Sequence, residues 1–226
     1  MPNLVASYFL VSPIAGDSST LVTTSFTPTN GEVIVVKAAT WDTGTPSGTP
    51  SGGGLTYTQR AIGQPGGFNC YSTIFTAVVS GSPGSMAVTL SAPATSSYHS
   101  MTVERWSNAQ LAATPATNSV ITGNGTTPSD TVITTAANSV VTWVNADDSS
   151  QGGTHTYLSG AVEDGLADGS SFSNSVHYYA YQTAAAAGSQ TFGMSLPTAQ
   201  KWTMVGIEVQ DNPAAPPTAV TWLFTA

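Results

Sequence analysis

Residues 101–109 read MTVERWSNA, and residues 204–212 read MVGIEVQDN. In both, apolar positions recur with the two-residue period of a β-strand, and a short polar turn ends on an asparagine. At a shift of 104 residues Glu104 falls on Glu208 and Asn108 on Asn212. The same shift carries Gly84-Ser85 onto Gly188-Ser189 and Ile74-Phe75 onto Tyr178-Tyr179; it drifts to 108 for Asn30 and Asn138 and to 100 for Tyr57 and Tyr157. A spacing that changes only inside glycine-rich loops is what duplication followed by loop insertion leaves. Chance likeness between two sets of strands is the competing explanation.

Outward from this pair, strand signals dominate: β-branched and aromatic runs separated by clusters of Gly, Pro, Asn and Ser. In the first half they cover 4–11, 20–27, 32–40, 55–62, 69–79, 85–91 and 99–106. In the second they cover 118–122, 130–135, 139–146, 154–162, 173–183, 189–196 and 201–210. The alanine run from Thr183 is too short to nucleate a helix and reads as a turn. The expected fold is an all-β, antiparallel, jelly-roll-like β-sandwich built from two pseudo-repeated halves, 1–110 and 111–212, with a Pro-rich extension over 213–226. The junction after Ser107 lacks the character of a clean linker, so one integrated unit is expected over two tandem domains. Alternation puts Met86, Val88 and Leu90 on one face, in phase with Gln190, Phe192 and Met194. It also matches Met101 and Val103 to Val205 and Ile207 as an inward face.

Composition narrows the function. Charged residues are 7% of the 226, and the formal net charge is −8. Four cations, Lys37, Arg60, Arg105 and Lys201, cannot make a phosphate-neutralising track, so no nucleic-acid partner is expected. A surface of short hydroxyl and amide side chains loses little entropy when another surface packs on it, which favours lateral association. The single cysteine, Cys70, excludes an intramolecular disulfide and reads as a small buried hydrophobe. The apolar start of the chain is short and lacks a basic lead, so it reads as a strand and not a signal peptide. No run approaches the ~18 apolar residues of a membrane-spanning helix, and no membrane partner is expected.

Chemistry-bearing patterns are sparse. Nucleophile elbow, phosphate loop and zinc-protease helix are absent, and His99, His155 and His177 stand apart in sequence. The stretch EDGLADGSS offers Asp164 and Asp168 as a weak calcium candidate, though Asp-Gly pairs are ordinary turn formers. Glu104 and Glu208 suggest a glycosidase acid and base, but equivalence across a repeat argues for a shared structural role, with Arg60 or Arg105 as partner. No enzyme and no cofactor is expected. Trp41, Tyr57, Tyr98 and Trp106 are candidate contacts, either to a partner or as a stacking platform for sugar rings, with packing inside the sheet as the alternative. Trp222, Leu223 and Phe224 close the extension as a candidate docking strand, on the chain's own body or on a neighbouring subunit.

The series SSTLVTTSFTPTNGEVIVVKAATW, GLTYTQRAI, CYSTIFTAVV, GSMAVTLSA and MTVERWSNA, with its echo through MVGIEVQDN, resembles Ser/Thr/Gly-rich β-sandwich virion proteins of tailed phages of actinobacterial hosts. The resemblance covers about residues 18 to 212 and rests on strand-and-turn patterns with no diagnostic site. It implies a structural role in the virion as a minor tail, decoration or fibre-like component. Its partners would be other virion proteins and copies of itself in a homo-oligomer. A glycan-binding module for host-surface recognition is the alternative.

Overall fold

A computed structural model describes residues 1–12, 20–41, 48–63, 70–91, 98–111, 119–148, 154–169, 175–198 and 200–212. Every named element is a strand: β1 (Asn3–Val11), β2 (Leu21–Val22), β3 (Val33–Trp41), β4 (Thr58–Gly63), β5 (Cys70–Val78), β6 (Thr89–Leu90), β7 (Tyr98–Ser107) and β8 (Ala109–Gln110) in the first half. The second half holds β9 (Ser119–Thr126), β10 (Ser129–Thr134), β11 (Ser139–Asp147), β12 (Thr156–Tyr157), β13 (Val162–Asp168), β14 (Val176–Ala184), β15 (Gly188–Leu196) and β16 (Gln200–Asp211). The alanine-rich segment turns between β14 and β15, as its length requires. No helix occurs among the described residues.

All pairings are antiparallel, and the two halves share one strand order. The first large sheet runs β1-β7-β3-β5-β4; the second runs β9-β16-β11-β14-β13, with β8 also on β16. Each carries a smaller layer on one face. In the first half this is β2-β6 with the bridges Phe26↔Met86 and Ser51↔Thr89; in the second it is β10-β15-β12. Equivalent turns precede β3 and β11: Gly31 (φ 84°) and Asn138 (φ 54°) both take the left-handed conformation, which glycine and asparagine enter at least cost.

Three cores result. One lies between the first large sheet and its small layer (Ile34, Val36, Phe75, Met101 and Val103 against Leu21, Phe26, Met86, Val88 and Leu90). Another lies between the second sheet and its layer (Trp143, Tyr178, Trp202 and Met204 against Val132, Phe192 and Met194). The third draws on both large sheets at once: Val33, Val35, Ile74 and Trp106 meet Val140, Val144, Tyr179, Val205 and Ile207. The large sheets therefore lie face to face across a seam, and β3, β5, β7 and β11 are buried along nearly their whole length on both faces.

This arrangement corrects the matching of MTVERWSNA to MVGIEVQDN. Val33 stands opposite Trp106, and Val140, its counterpart after the equivalent turn, stands opposite Val209. Topology thus equates Trp106 with Val209 and Glu104 with Ile207, one residue off the sequence match. Met101 and Val103 face the small layer, whereas Val205 and Ile207 face the seam. A slip of one residue exchanges the two faces of a strand, so Glu104 and Glu208 point in opposite directions.

Candidate functional site

The seam holds a charge cluster. Lys37 on β3 is flanked on its face by the apolar seam residues Val35 and Ala39, and its side chain is fully buried. Its ammonium donates to Glu104 Oε1 at 2.7 Å, to Asp164 Oδ1 and Oδ2 at 2.9 and 3.0 Å, and to the Ala180 carbonyl at 3.2 Å. Glu104 comes from β7 in the same sheet; Asp164 and Ala180 come from the opposite half. Asp164 reaches the seam because β13 bulges between Glu163 and Gly165, which leaves residue 164 out of the ladder. Gly165 permits the approach, since a Cβ there would sit 2.5 Å from the Phe9 ring and 2.9 Å from Thr102 Oγ1.

Glu104 is fully satisfied. Thr142 Oγ1 contacts both carboxylate oxygens at 2.8 and 2.9 Å, and Trp106 Nε1 donates to Oε2 at 2.9 Å. Ser7 Oγ adds a 3.3 Å bond to Asp164 Oδ2. One ammonium thus serves two carboxyl groups in a site closed to water, and the surplus negative charge has to be neutralised. Burial pushes Asp164 up to about 7; Lys37 pulls it down, and the Glu104 carboxylate reinforces the rise. Burial opposes the charge on Lys37, but Asp164 and Glu104 overcome it and hold the amine above its ordinary value.

Further polar links cross the seam. Ser100 Oγ of β7 lies 2.7 Å from His177 Nδ1 and 2.7 Å from the Tyr179 hydroxyl, both on β14; Ser175 Oγ lies 3.1 Å from His177 Nε2. Burial, with His99 nearby, drives His177 down to about 3, so this imidazole is neutral. Ser72 Oγ donates to the Thr203 carbonyl at 2.8 Å and accepts from Ala146 N–H at 3.0 Å. Cys70 is buried as expected and lies 3.2 Å from the Ala146 carbonyl; burial pushes its thiol well up, so it is not a ready nucleophile.

The candidates named from sequence are redistributed. Trp106 does share a face with Glu104, but that face is the seam, and the ring is 1% exposed. Tyr57 and Tyr98 are also buried, so neither offers a surface for sugar or partner. Trp41 is half-buried, its Nε1 donating to Asp148 of the other half. Asp164 lies in a strand where a loop was expected, and its carboxylate is occupied by Lys37; Asp168 is exposed at the end of β13. Among the described residues no cluster of three or more His, Cys, Asp or Glu could hold a metal. Glu104 is partnered by Lys37, not by an arginine; Arg105 pairs with Glu32 and Arg60 bonds Thr76. Trp222, Leu223 and Phe224 lie outside the described residues.

Lys37 and Thr142 went unmarked in the sequence, although a lysine inside the run VIVVKAATW is a visible anomaly. At the surface, an open cleft of about 530 Å³ is lined by Asn30, Glu32, Ser107, Asn108 and Asn212, beside Val5 of β1. Compared with protein-family models, with curated proteins and with solved structures, the chain matches none of them.

Proposed function

We propose that this chain is a structural protein of a bacteriophage virion, a decoration, minor tail or fibre-like component acting through contacts with other virion proteins and with copies of itself. The observation that carries it is the strand order common to both halves. Counting the bridge at Ser51 as a strand, each half places its first, eighth, third, sixth and fifth strands in one sheet and its second, seventh and fourth in the other. Apart from the fifth strand, which pairs here with the sixth where a jelly roll pairs it with the fourth, this order resembles that of a jelly roll, and it supports reading the halves as a duplicated unit. Jelly rolls recur in viral shells and in lectins, so the fold is shared ground and the site has to discriminate.

What favours architecture is where the polar residues went: into a buried seam that locks two halves together, with a charge-poor exterior. Among the described residues β1 stands at a sheet edge with Val5, Phe9 and Val11 exposed by 43%, 37% and 38%, a surface suited to another chain. The test is quantitative mass spectrometry of purified particles of a phage that encodes the protein. A stoichiometric band is expected; absence from particles refutes the proposal.

A second reading, glycan binding, is favoured by the amide-lined cleft at Asn30, Asn108 and Asn212 rather than by the aromatics. Saturable binding on a glycan array, lost in Asn108→Ala, would establish it in place of a purely architectural role.

A further inference from the structure

We propose that Lys37 and Asp164 are the partners of an intramolecular amide cross-link, with Glu104 as the group that moves the protons. The inference stands on the seam and does not depend on the virion reading. Lys37 Nζ is nearly equidistant from both oxygens of Asp164, at 2.9 and 3.0 Å, which sets it close to the carboxyl carbon between them. Reacting atoms held about 3–3.5 Å apart are near-attack partners, and enclosure supplies the effective concentration that a condensation in water lacks.

Each step has a named atom. Lys37 passes one proton to Glu104 Oε1, 2.7 Å away, and exposes the amine lone pair. Burial favours the protonated form of Asp164, and in that form its carbon is an electrophile and its hydroxyl a leaving group. The C–N bond forms, with Ser7 Oγ positioned to donate to the oxygen on which charge develops. Glu104 then delivers its proton to the departing hydroxyl and takes a second from nitrogen. The C–O bond breaks, one water leaves and Glu104 ends protonated. Charge is zero before and after, and nothing is oxidised or reduced.

The product relieves the cost of the site. Buried ions lose solvation that their attraction only partly restores, and the amide removes both the ammonium and the Asp164 carboxyl. Packing alone does not call for these residues. At the topologically equivalent positions Lys37 is replaced by Val144 and Glu104 by Ile207, while the residue skipped by the matching bulge of β4, between Gln59 and Ala61, is Arg60, which bonds Thr76 instead. Half of the seam is built without a charge cluster, so the cluster answers to something else. A bond from β3 to β13 would span 127 residues and tie the two halves covalently.

The experiment is the intact mass of the full chain, purified folded and measured under denaturing conditions. The expected mass is one water below that of the sequence, with a branched peptide joining Lys37 to Asp164 after proteolysis. The chain has only two lysines, so Lys201→Arg should retain the deficit, while Lys37→Arg and Glu104→Gln, checked for folding by circular dichroism, should restore the full mass. Wild-type protein at full sequence mass overturns the proposal. So does a deficit that survives Lys37→Arg or is cleaved by hydroxylamine, since that marks a succinimide at Asp164-Gly165.

Discussion

His177 should make the fold acid-sensitive in a way that can be read as a difference between two proteins. Its side chain is fully buried, its two ring nitrogens meet the hydroxyls of Ser100 and Ser175, and the Tyr98 ring lies 5.1 Å from it. Hydroxyls can serve the neutral ring in either tautomer, yet they supply no counter-charge, so protonation in the fold means an ion in the seam. The folded pKa is about 3, against 6.5 in the open chain. The unfolded state therefore binds more protons between those values, and stability is fully present above pH 6.5 and declines as pH falls toward 3. At 1.36 kcal/mol per unit, the loss is about 2 kcal/mol at pH 5 and roughly 4 kcal/mol at pH 3. Urea unfolding followed by tryptophan fluorescence from pH 7.5 to 4 would measure it, comparing wild type with His177→Gln. The comparison matters because Asp164, where its carboxyl is still free of the amide, has a raised folded value and contributes in the opposite direction, its stabilisation being lost as pH rises toward 7. The variant should lack the acid-side loss, and NMR should find the wild-type ring neutral at pH 5. A folded His177 that titrates near 6.5, or a variant with the wild-type slope, refutes the reasoning.

Two further outcomes follow from single atoms. Gly165→Ala places a methyl group 2.5 Å from the Phe9 ring, which is partly exposed and can swing aside, and 2.9 Å from the fully buried Thr102 Oγ1, which has less freedom; a loss of about 1–3 kcal/mol is expected in thermal or denaturant unfolding. Glu208→Ala removes the acceptor for the Thr135 and Ala136 amides, each at 3.0 Å, and should cost roughly 1–3 kcal/mol, with faster hydrogen exchange at both amides and an unperturbed seam. Burial works to raise the Glu208 carboxyl, but those amides outweigh it and hold the group below 4.5. Its contribution is therefore present above that value and fades as pH falls below it.

The strands were legible because β-branched runs and Gly/Pro breakers act locally: the expected runs at 4–11, 32–40 and 139–146 match β1, β3 and β11 to within a residue or two at each end. The segment 154–162 was less legible. It merges β12 with the first residue of β13, and the remainder of β13 reads as a loop because EDGLADG carries turn-forming Asp-Gly pairs. The bulge explains both the glycine and the misreading. A bulged strand needs a residue that tolerates close approach, and its extra carboxylate is turned away from the ladder; neither property distinguishes it from a turn in one dimension.

The deeper difficulty lies in the meaning of alternation. Along β7 the residues Ser100, Thr102, Glu104 and Trp106 occupy one parity and Met101 and Val103 the other, and in most antiparallel sheets such a polar parity faces water. Here a second sheet presents its own mixed face, with Thr142, His177 and Thr203, and polar groups from the two halves satisfy one another across the seam. A single strand cannot reveal that its polar face is to be covered. The resulting ambiguity also explains why a shift of 104 looked right. Glu104 and Glu208 are alike in type, and both prove to be buried acceptors, yet one belongs to the seam between halves and the other to the rim of its own half. Identity of residue pointed to an equivalence that the faces deny. What separates the two glutamates is the ammonium opposite the first, and that ammonium was the lysine inside VIVVKAATW, the least expected residue on a strand buried on both sides.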